Sequence, residues 1–249
     1  MGENSKIALR DLAIEVTRRC NLACFHCLRG DPEPVDISDY YLEELFSKVG
    51  RIGLLTITGG EPSLATDRIF KILELIKKHG VIMENFYLAT NATNVTDDFI
   101  RVLMELYLAC GENEVSGVDI SNSIYHDNNV NFGDINHDVD KLKLLKFVQL
   151  KYSDKTLREM PNNLLHQGRC GSGREVEIDS IEVNIEEKEV SEGGLYLNCE
   201  GVIIAGCDFS FESQRDNKSI QICKVEDLSI EVIDNWQRRA SDERQEECN

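Results

Sequence analysis

The chain has 249 residues, 27 Lys+Arg against 45 Asp+Glu, and a net charge of −18. That length fits one moderate domain, or one domain with an appendage, and can bury a core without disulfide staples. The charge excludes a general nucleic-acid binder. A polyanion is repelled by phosphates, and the short basic stretches Arg18-Arg19, 141–151 and Arg238-Arg239 are flanked by acids. Apolar runs such as 54–58 are too short to cross a bilayer. Without an apolar N-terminal signal segment, a cytoplasmic setting is expected, in which nine cysteines are thiols or metal ligands rather than disulfides.

In chain order, 12–17 reads as a strand, and Ser38 caps a helix running to about residue 49. Residues 52–58 form an apolar run ending in Gly59-Gly60, the pattern of a strand buried on both faces. Thr66 or Asp67 opens a second helix, with Ile69, Ile72, Leu73 and Ile76 on one face and Gly80 just past its end. A strand follows at 86–90, then a helix capped by Thr96 with Phe99, Ile100, Leu103 and Leu106 on one face, then a strand at 115–121. Strands alternating with helices predict an α/β fold with a parallel sheet, whose chemistry gathers at the carboxyl ends of the strands. Cys20, Gly59, Asn91 and Ser121 stand at those ends.

Residues 122–140, rich in Asn, Asp, His and Gly, read as a long loop, with strands expected at 144–150 and 163–168. From 175 the period becomes two. Val176, Ile178, Ile181 and Val183 are inward positions, and a strand pair at 195–204 reads as an antiparallel appendage. A terminal helix is expected at 227–239, followed by a frayed polar end.

The strongest chemical signal is Cys20-Asn21-Leu22-Ala23-Cys24-Phe25-His26-Cys27, a C-x3-C-x2-C array. Three thiolates this close can converge on one soft metal centre and leave one vertex open. Zinc held by the same cysteines with His26 or a remote cysteine is the alternative ligation. Helix-face packing of small apolar thiols is the bland one.

This array after a first strand, followed by Gly59-Gly60-Glu61-Pro62 after a second, resembles the radical SAM superfamily, over residues 11 to about 125. The form Cys-Asn-Leu-x-Cys-x-His-Cys is similar to that of its peptide- and protein-modifying branch. The resemblance implies a partial (β/α)6 parallel barrel over 8–170, with a C-terminal antiparallel hairpin and helix over 171–249 like a truncated SPASM/twitch tail. It implies one 4Fe–4S cluster ligated by Cys20, Cys24 and Cys27, with S-adenosylmethionine on the open iron. His26 then lies near the adenine, and Gly59, Gly60, Glu61 and Pro62 meet the methionine amino group. Thr90-Asn91-Ala92 resembles the family's Thr-Asn-Gly, and Ser121 holds the place of a ribose contact. The usual aspartate two positions further on is Ser123 here. His126 and Asp127 match a His-Asp often found after the fourth strand and are given no chemistry.

Of the remaining cysteines, Cys110, Cys170, Cys199, Cys207, Cys223 and Cys248, no two form a C-x2-C pair, which argues against a second cluster. An auxiliary cluster on Cys170, Cys199, Cys207 and Cys223 is the alternative. Cys207 and Cys223 are the candidate hydrogen-atom donors. The resemblance implies a radical enzyme acting on a peptide or protein side chain, served by a flavodoxin- or ferredoxin-type reductant. Action on a small metabolite or nucleoside, and a non-catalytic zinc or iron–sulfur protein, are the alternatives.

Overall fold

The computed structural model describes residues 6–127, 139–152, 164–171, 173–176, 178 and 180–247, with side chains through 242. Cys248 and most of the expected 122–140 loop lie outside them. Five strands lie side by side in chain order, each parallel to its neighbour: β1 (Ile7–Thr17), β2 (Val49–Gly59), β3 (Ile82–Thr90), β4 (Gly117–Ile120) and β5 (Val148–Leu150). Helices α1 (Asp39–Lys48), α2 (Thr66–His79) and α3 (Asp97–Ala109) fall between the first four. The expected α/β architecture with a parallel sheet is therefore present.

Local chemistry sets the helix ends. Ser38 Oγ accepts the Tyr41 N–H at 3.3 Å, and Thr96 Oγ1 accepts the Phe99 N–H at 3.1 Å, each supplying an acceptor to an otherwise orphaned donor. Gly80 closes α2 in the left-handed region at φ 64°, where a side chain would be strained. Phe99, Val102, Leu103 and Leu106 bury one face of α3.

The C-terminal third is less separate than its alternating pattern predicts. β7 (Glu189–Leu197) pairs antiparallel with β8 (Val202–Ala205), as expected for a hairpin. Its other edge runs parallel to β1, with Leu12 opposite Leu195 and Ile14 opposite Leu197. β6 (Glu182–Asn184) and β9 (Gln221–Lys224) complete one sheet in the order β5-β4-β3-β2-β1-β7-β8-β9, with β6 on β7. β1 is thus an interior strand, which is why residues 12–17 are all buried. Among the described residues the sheet is open, with β5 and β9 at its edges.

Two expectations are corrected. Residues 164–168 form no strand; they add an isolated bridge from Leu165 to Arg174, and Gly168 turns at φ 58° to dock against the cysteine loop. The C-terminal helix spans Ile230–Glu247 instead of ending at 239. Ile230, Ile233 and Trp236 anchor it in the core, and the Glu-, Arg- and Gln-rich residues that follow have high helix propensity. Among the described residues no helix is long and apolar enough to cross a membrane.

Candidate active site

At the carboxyl ends of β1–β4 lies a cavity of about 390 Å³. Its wall contains Cys20, Cys24 and Cys27 together with His26, Gly59, Gly60, Glu61, Pro62, Asn91 and Ser121. Cys207 also lines it, whereas Cys223 sits on β9 opposite Ile203 and does not. The structure therefore brings together the two motifs and separates the two candidate hydrogen donors.

The cysteine loop is held by backbone contacts that only glycine allows. A Cβ on Gly59 would stand 2.1 Å from the Thr17 carbonyl oxygen, and one on Gly60 would stand 2.2 Å from that of Arg19. Gly60 N–H donates to Thr17 O at 2.7 Å and Glu61 N–H donates to Arg19 O at 2.8 Å. The close approach these glycines permit is to the segment that delivers Cys20. From the other side, a Cβ on Gly168 would lie 2.4 Å from Leu28 O. Beside it, Arg169 donates its N–H to Cys27 O and its Nε to Cys24 O, both at 3.0 Å, and pairs with Asp31.

Glu61 is buried, and its Oε1 accepts from the Thr90 hydroxyl at 2.6 Å and the Ser63 N–H at 3.1 Å. Its Oε2 accepts the Asn91 N–H at 2.8 Å. A carboxylate has about four lone-pair sites, so one remains for a cation. Burial pushes the Glu61 pKa up, against these hydrogen bonds. Asn91 Nδ2 donates to Asn21 Oδ1 at 3.0 Å, which ties the end of β3 to the cysteine loop.

Ala92 follows at φ 54° and is fully buried, in the left-handed region that disfavours a Cβ by roughly 1–2 kcal/mol. Ala92→Gly removes that strain at the cost of extra freedom in the unfolded chain. It is expected to stabilise by about 0.5–1 kcal/mol, raising Tm by about 2 °C, as measured by thermal unfolding. Ala92→Val is expected to lower Tm. A drop in Ala92→Gly would contradict the strain argument.

The cavity is electrostatically uneven. Burial pushes the Cys20 thiol up to about 12, with smaller upward contributions from Glu61, Cys27 and Cys24; the Leu22 N–H opposes them. A positive centre is what the Cys20 sulfur needs to exist as a thiolate. Burial also holds His26 down at about 4, helped by Lys151 and Arg169, so its ring is neutral at pH 7. That ring stacks on Tyr125 at 4.5 Å, and its buried Nδ1 has no hydrogen-bond partner among the described residues.

Among the described residues no three His, Cys, Asp or Glu side chains gather around a single metal ion. Cys20, Cys24, Cys27 and His26 are thus not drawn together as the closed set that a tetrahedral zinc ion binds. A cubane needs less convergence, because each thiolate binds a different iron. Three cysteines on one cavity wall, a buried ring nitrogen without a hydrogen-bond partner among the described residues and a glycine-lined wall fit a cluster with an organic cofactor beside it.

Several other cysteines have structural uses. Cys199 donates its thiol to the Glu15 carbonyl at 3.2 Å, and Cys110 donates to that of Leu106 at 3.3 Å. Burial pushes Cys223 up to about 12. Sequence reading missed Arg29, Tyr87, Lys151 and Asp208, which also line the cavity. No motif marks them. Tyr87 is placed only by strand alternation on β3, and its hydroxyl donates to Asp119 at 2.8 Å.

Several known proteins are similar to part or most of the chain. An AdoMet-dependent heme synthase of Oleidesulfovibrio alaskensis is 32% identical over 99 residues, 38% of this chain and 24% of that protein. One from Methanosarcina barkeri is 32% identical over 127 residues, 49% of this chain and 34% of that protein. A probable GTP 3',8-cyclase of Pyrococcus horikoshii is 32% identical over 90 residues, 34% of this chain and 27% of that protein. The chain thus spans about a quarter to a third of the length of these curated relatives. Among solved structures, native anSMEcpe with bound AdoMet and Cp18Cys peptide gives a TM-score of 0.47 at 13% identity, covering 93% of this chain and 82% of that one. Streptococcus suis SuiB bound to precursor peptide SuiA gives 0.43 at 11%, covering 91% and 64%. Residues 14–120, which carry both motifs, match the model of the Radical SAM superfamily.

Proposed function

We propose that the chain is a radical SAM enzyme whose cavity at the strand ends holds a 4Fe–4S cluster and S-adenosylmethionine. The observation that carries this is the meeting, in one cavity wall, of Cys20, Cys24 and Cys27 with Gly59-Gly60-Glu61-Pro62. The chemistry such a cluster supplies when bound is one electron to the cofactor's sulfonium, which releases the 5′-deoxyadenosyl radical. Cys20, Cys24 and Cys27 hold the cluster. Glu61 offers its remaining lone pair to the methionine ammonium, and Asn91 and Ser121 line the cofactor's path across β3 and β4. Neutral His26, stacked on Tyr125, provides a flat, uncharged neighbour for an adenine.

The proposed substrate is a peptide or protein side chain, a reading supported by the Cys-Asn-Leu-x-Cys-x-His-Cys form and the C-terminal hairpin. A small metabolite or nucleoside is the second reading, favoured by the names of the curated relatives. Of the two candidate donors we favour Cys207, because it lines the cavity. Its S–H bond would break as a substrate C–H bond forms. The resulting thiyl would be restored by one electron and one proton through a flavodoxin- or ferredoxin-type reductant. A thiolate-held cluster of this kind suits a reducing, cytoplasmic setting.

Anaerobically reconstituted protein is expected to carry about four irons per chain and no zinc. With dithionite and S-adenosylmethionine it is expected to release 5′-deoxyadenosine, and the Cys20→Ala/Cys24→Ala/Cys27→Ala triple variant is expected to release none. Continued release by the triple variant, read by chromatography, would sink the assignment. Mass spectrometry of candidate peptides against nucleoside and metabolite pools, after co-expression, separates the two substrate readings.

A further inference from the structure

Two arginines are sealed inside the protein, and their surroundings differ. Arg18, 0% exposed, meets three carboxylates: Glu15 at 2.7 Å, Glu200 at 2.8 Å and Glu33 at 3.0 Å. Arg29, 8% exposed, forms no ion pair among the described residues. Its guanidinium donates a single hydrogen bond, from Nη1 to the Phe209 carbonyl at 2.7 Å, and the Tyr196 ring covers one face, with its centre 5.0 Å from Cζ. Burial opposes its charge, and Tyr196, Glu15, Cys207 and Asp208 favour it without an ion pair among the described residues.

A guanidinium carries five N–H donors in a planar fork. With one hydrogen bond, most of the Arg29 donors are left without a protein acceptor among the described residues, and a fold keeps such donors buried where a ligand of opposite charge meets them. Arg29 lines the cavity, as do Cys207 and Asp208. It is also fastened to the C-terminal segment, because its own carbonyl accepts the Phe211 N–H at 3.0 Å. This is a different wall from that of Gly59–Pro62 and Asn91, which come from the ends of β2 and β3.

We infer that Arg29 anchors a carboxylate of the substrate, gripped by its guanidinium fork at the Cys207–Asp208 corner of the cavity. The inference rests on reading the cavity as the enzyme's active site, and it narrows the substrate to one bearing a free acid group. Asp208, close by, repels a phosphate dianion more strongly than a carboxylate, and one fork matches one carboxylate in plane. The anchored end of the substrate then lies beside the Cys207 thiol.

The test uses fluorine NMR of 4-fluorobenzoate with the reconstituted full-length protein, next to its neutral isostere 4-fluorobenzamide. The benzoate signal is expected to broaden and recover on adding excess acetate, with no change for the benzamide. Arg29→Met is expected to weaken benzoate binding about tenfold or more, and Arg29→Lys less, since lysine keeps the charge without the fork. If Arg29→Met does not fold, labelling of Arg29 by phenylglyoxal in the unsubstituted chain decides. Benzoate should slow that labelling, read by peptide mass spectrometry. Equal binding of the benzamide, undiminished binding by a folded Arg29→Met, absence of protection, or stronger competition by inorganic phosphate than by acetate would each overturn the anchor. Release of 5′-deoxyadenosine is scored separately. Protein that binds benzoate through Arg29 without releasing it overturns the enzyme reading alone, and the converse overturns the anchor alone.

Discussion

Gly60→Ala is expected to empty the site of iron while leaving most of the fold in place. The added methyl carbon would stand 2.2 Å from the Arg19 carbonyl oxygen, 2.7 Å from its carbon and 2.9 Å from the Arg18 carbonyl oxygen. All three are backbone atoms, which cannot swing aside as a side chain does. Relief requires residues 17–19 to move away, breaking the Gly60–Thr17 and Glu61–Arg19 hydrogen bonds and shifting Cys20, the next residue along. Overpacking of about 1–3 kcal/mol plus two lost hydrogen bonds of about 1 kcal/mol each gives a loss of roughly 3–5 kcal/mol. For a chain of this size that lowers Tm by about 6–20 °C. Iron bound after reconstitution is expected to fall below about half that of the unsubstituted protein, because three thiolates must meet one cluster together. Gly80→Ala is the control. Gly80, unlike Gly60, has positive φ, but no atom lies within 4 Å of its Cβ position, so only the backbone strain of roughly 1–2 kcal/mol applies and iron loading is unchanged. Equal iron in Gly60→Ala and Gly80→Ala would show that the glycine pair does not position the cysteine loop.

What could be read from the sequence divides by distance along the chain. The caps Ser38 and Thr96, the Gly80 stop and the apolar stripes of α2 and α3 act within one or two turns, so residue order alone revealed them. The cysteine array and Gly59-Gly60-Glu61-Pro62 are equally local, and their meeting followed from a general property of parallel sheets. The extent of β1 and β3 was underestimated, because their first halves mix polar with apolar residues. The neighbour of β7 was not legible, since a strand's pattern does not name its partner. Its buried end at 195–197 does carry the mark of a strand covered on both faces. Residues 164–168 were misread because Leu164 and Leu165 serve the cavity wall instead of a sheet. Arg29 and Arg169 could not be assigned, as the carbonyls they grip lie 180 and 145 positions away.

Replacing Glu15 with Ala is expected to be the most destabilising single change outside the cofactor cavity. Glu15 is wholly buried near the end of β1, and four donors converge on its carboxylate. Arg18 Nε reaches Oε1 at 2.7 Å and the Cys199 N–H reaches it at 3.0 Å. The Tyr196 hydroxyl reaches Oε2 at 2.6 Å and Gln214 Nε2 reaches it at 3.2 Å. These donors belong to the residue after β1, to β7 and the turn that follows it, and to the short helix Phe211–Asp216, so one side chain bolts the C-terminal third onto the central strand. Removing the carboxylate leaves Arg18 Nε and three other buried donors without their acceptor, although Glu33 and Glu200 still face the guanidinium, a loss of about 3–5 kcal/mol and a Tm lower by roughly 6–20 °C. The pH dependence has a definite sign. Burial pushes the Glu15 carboxyl up, but Arg18, Arg29 and the hydrogen bonds outweigh it and hold the folded pKa below the ordinary glutamate value. Its contribution is therefore complete above about pH 4.3 and is lost only as pH falls through the lower folded value. The gap in Tm between unsubstituted protein and Glu15→Gln should stay constant from pH 8 to about pH 5 and close only under stronger acid. The double variant Glu15→Met/Arg18→Met, which removes both charges, is expected to be less destabilised than the two single losses combined by at least about 1 kcal/mol. A Tm within 3 °C of the unsubstituted protein for Glu15→Ala, or strict additivity of the pair, would mean that the tail is held by its apolar strand contacts instead.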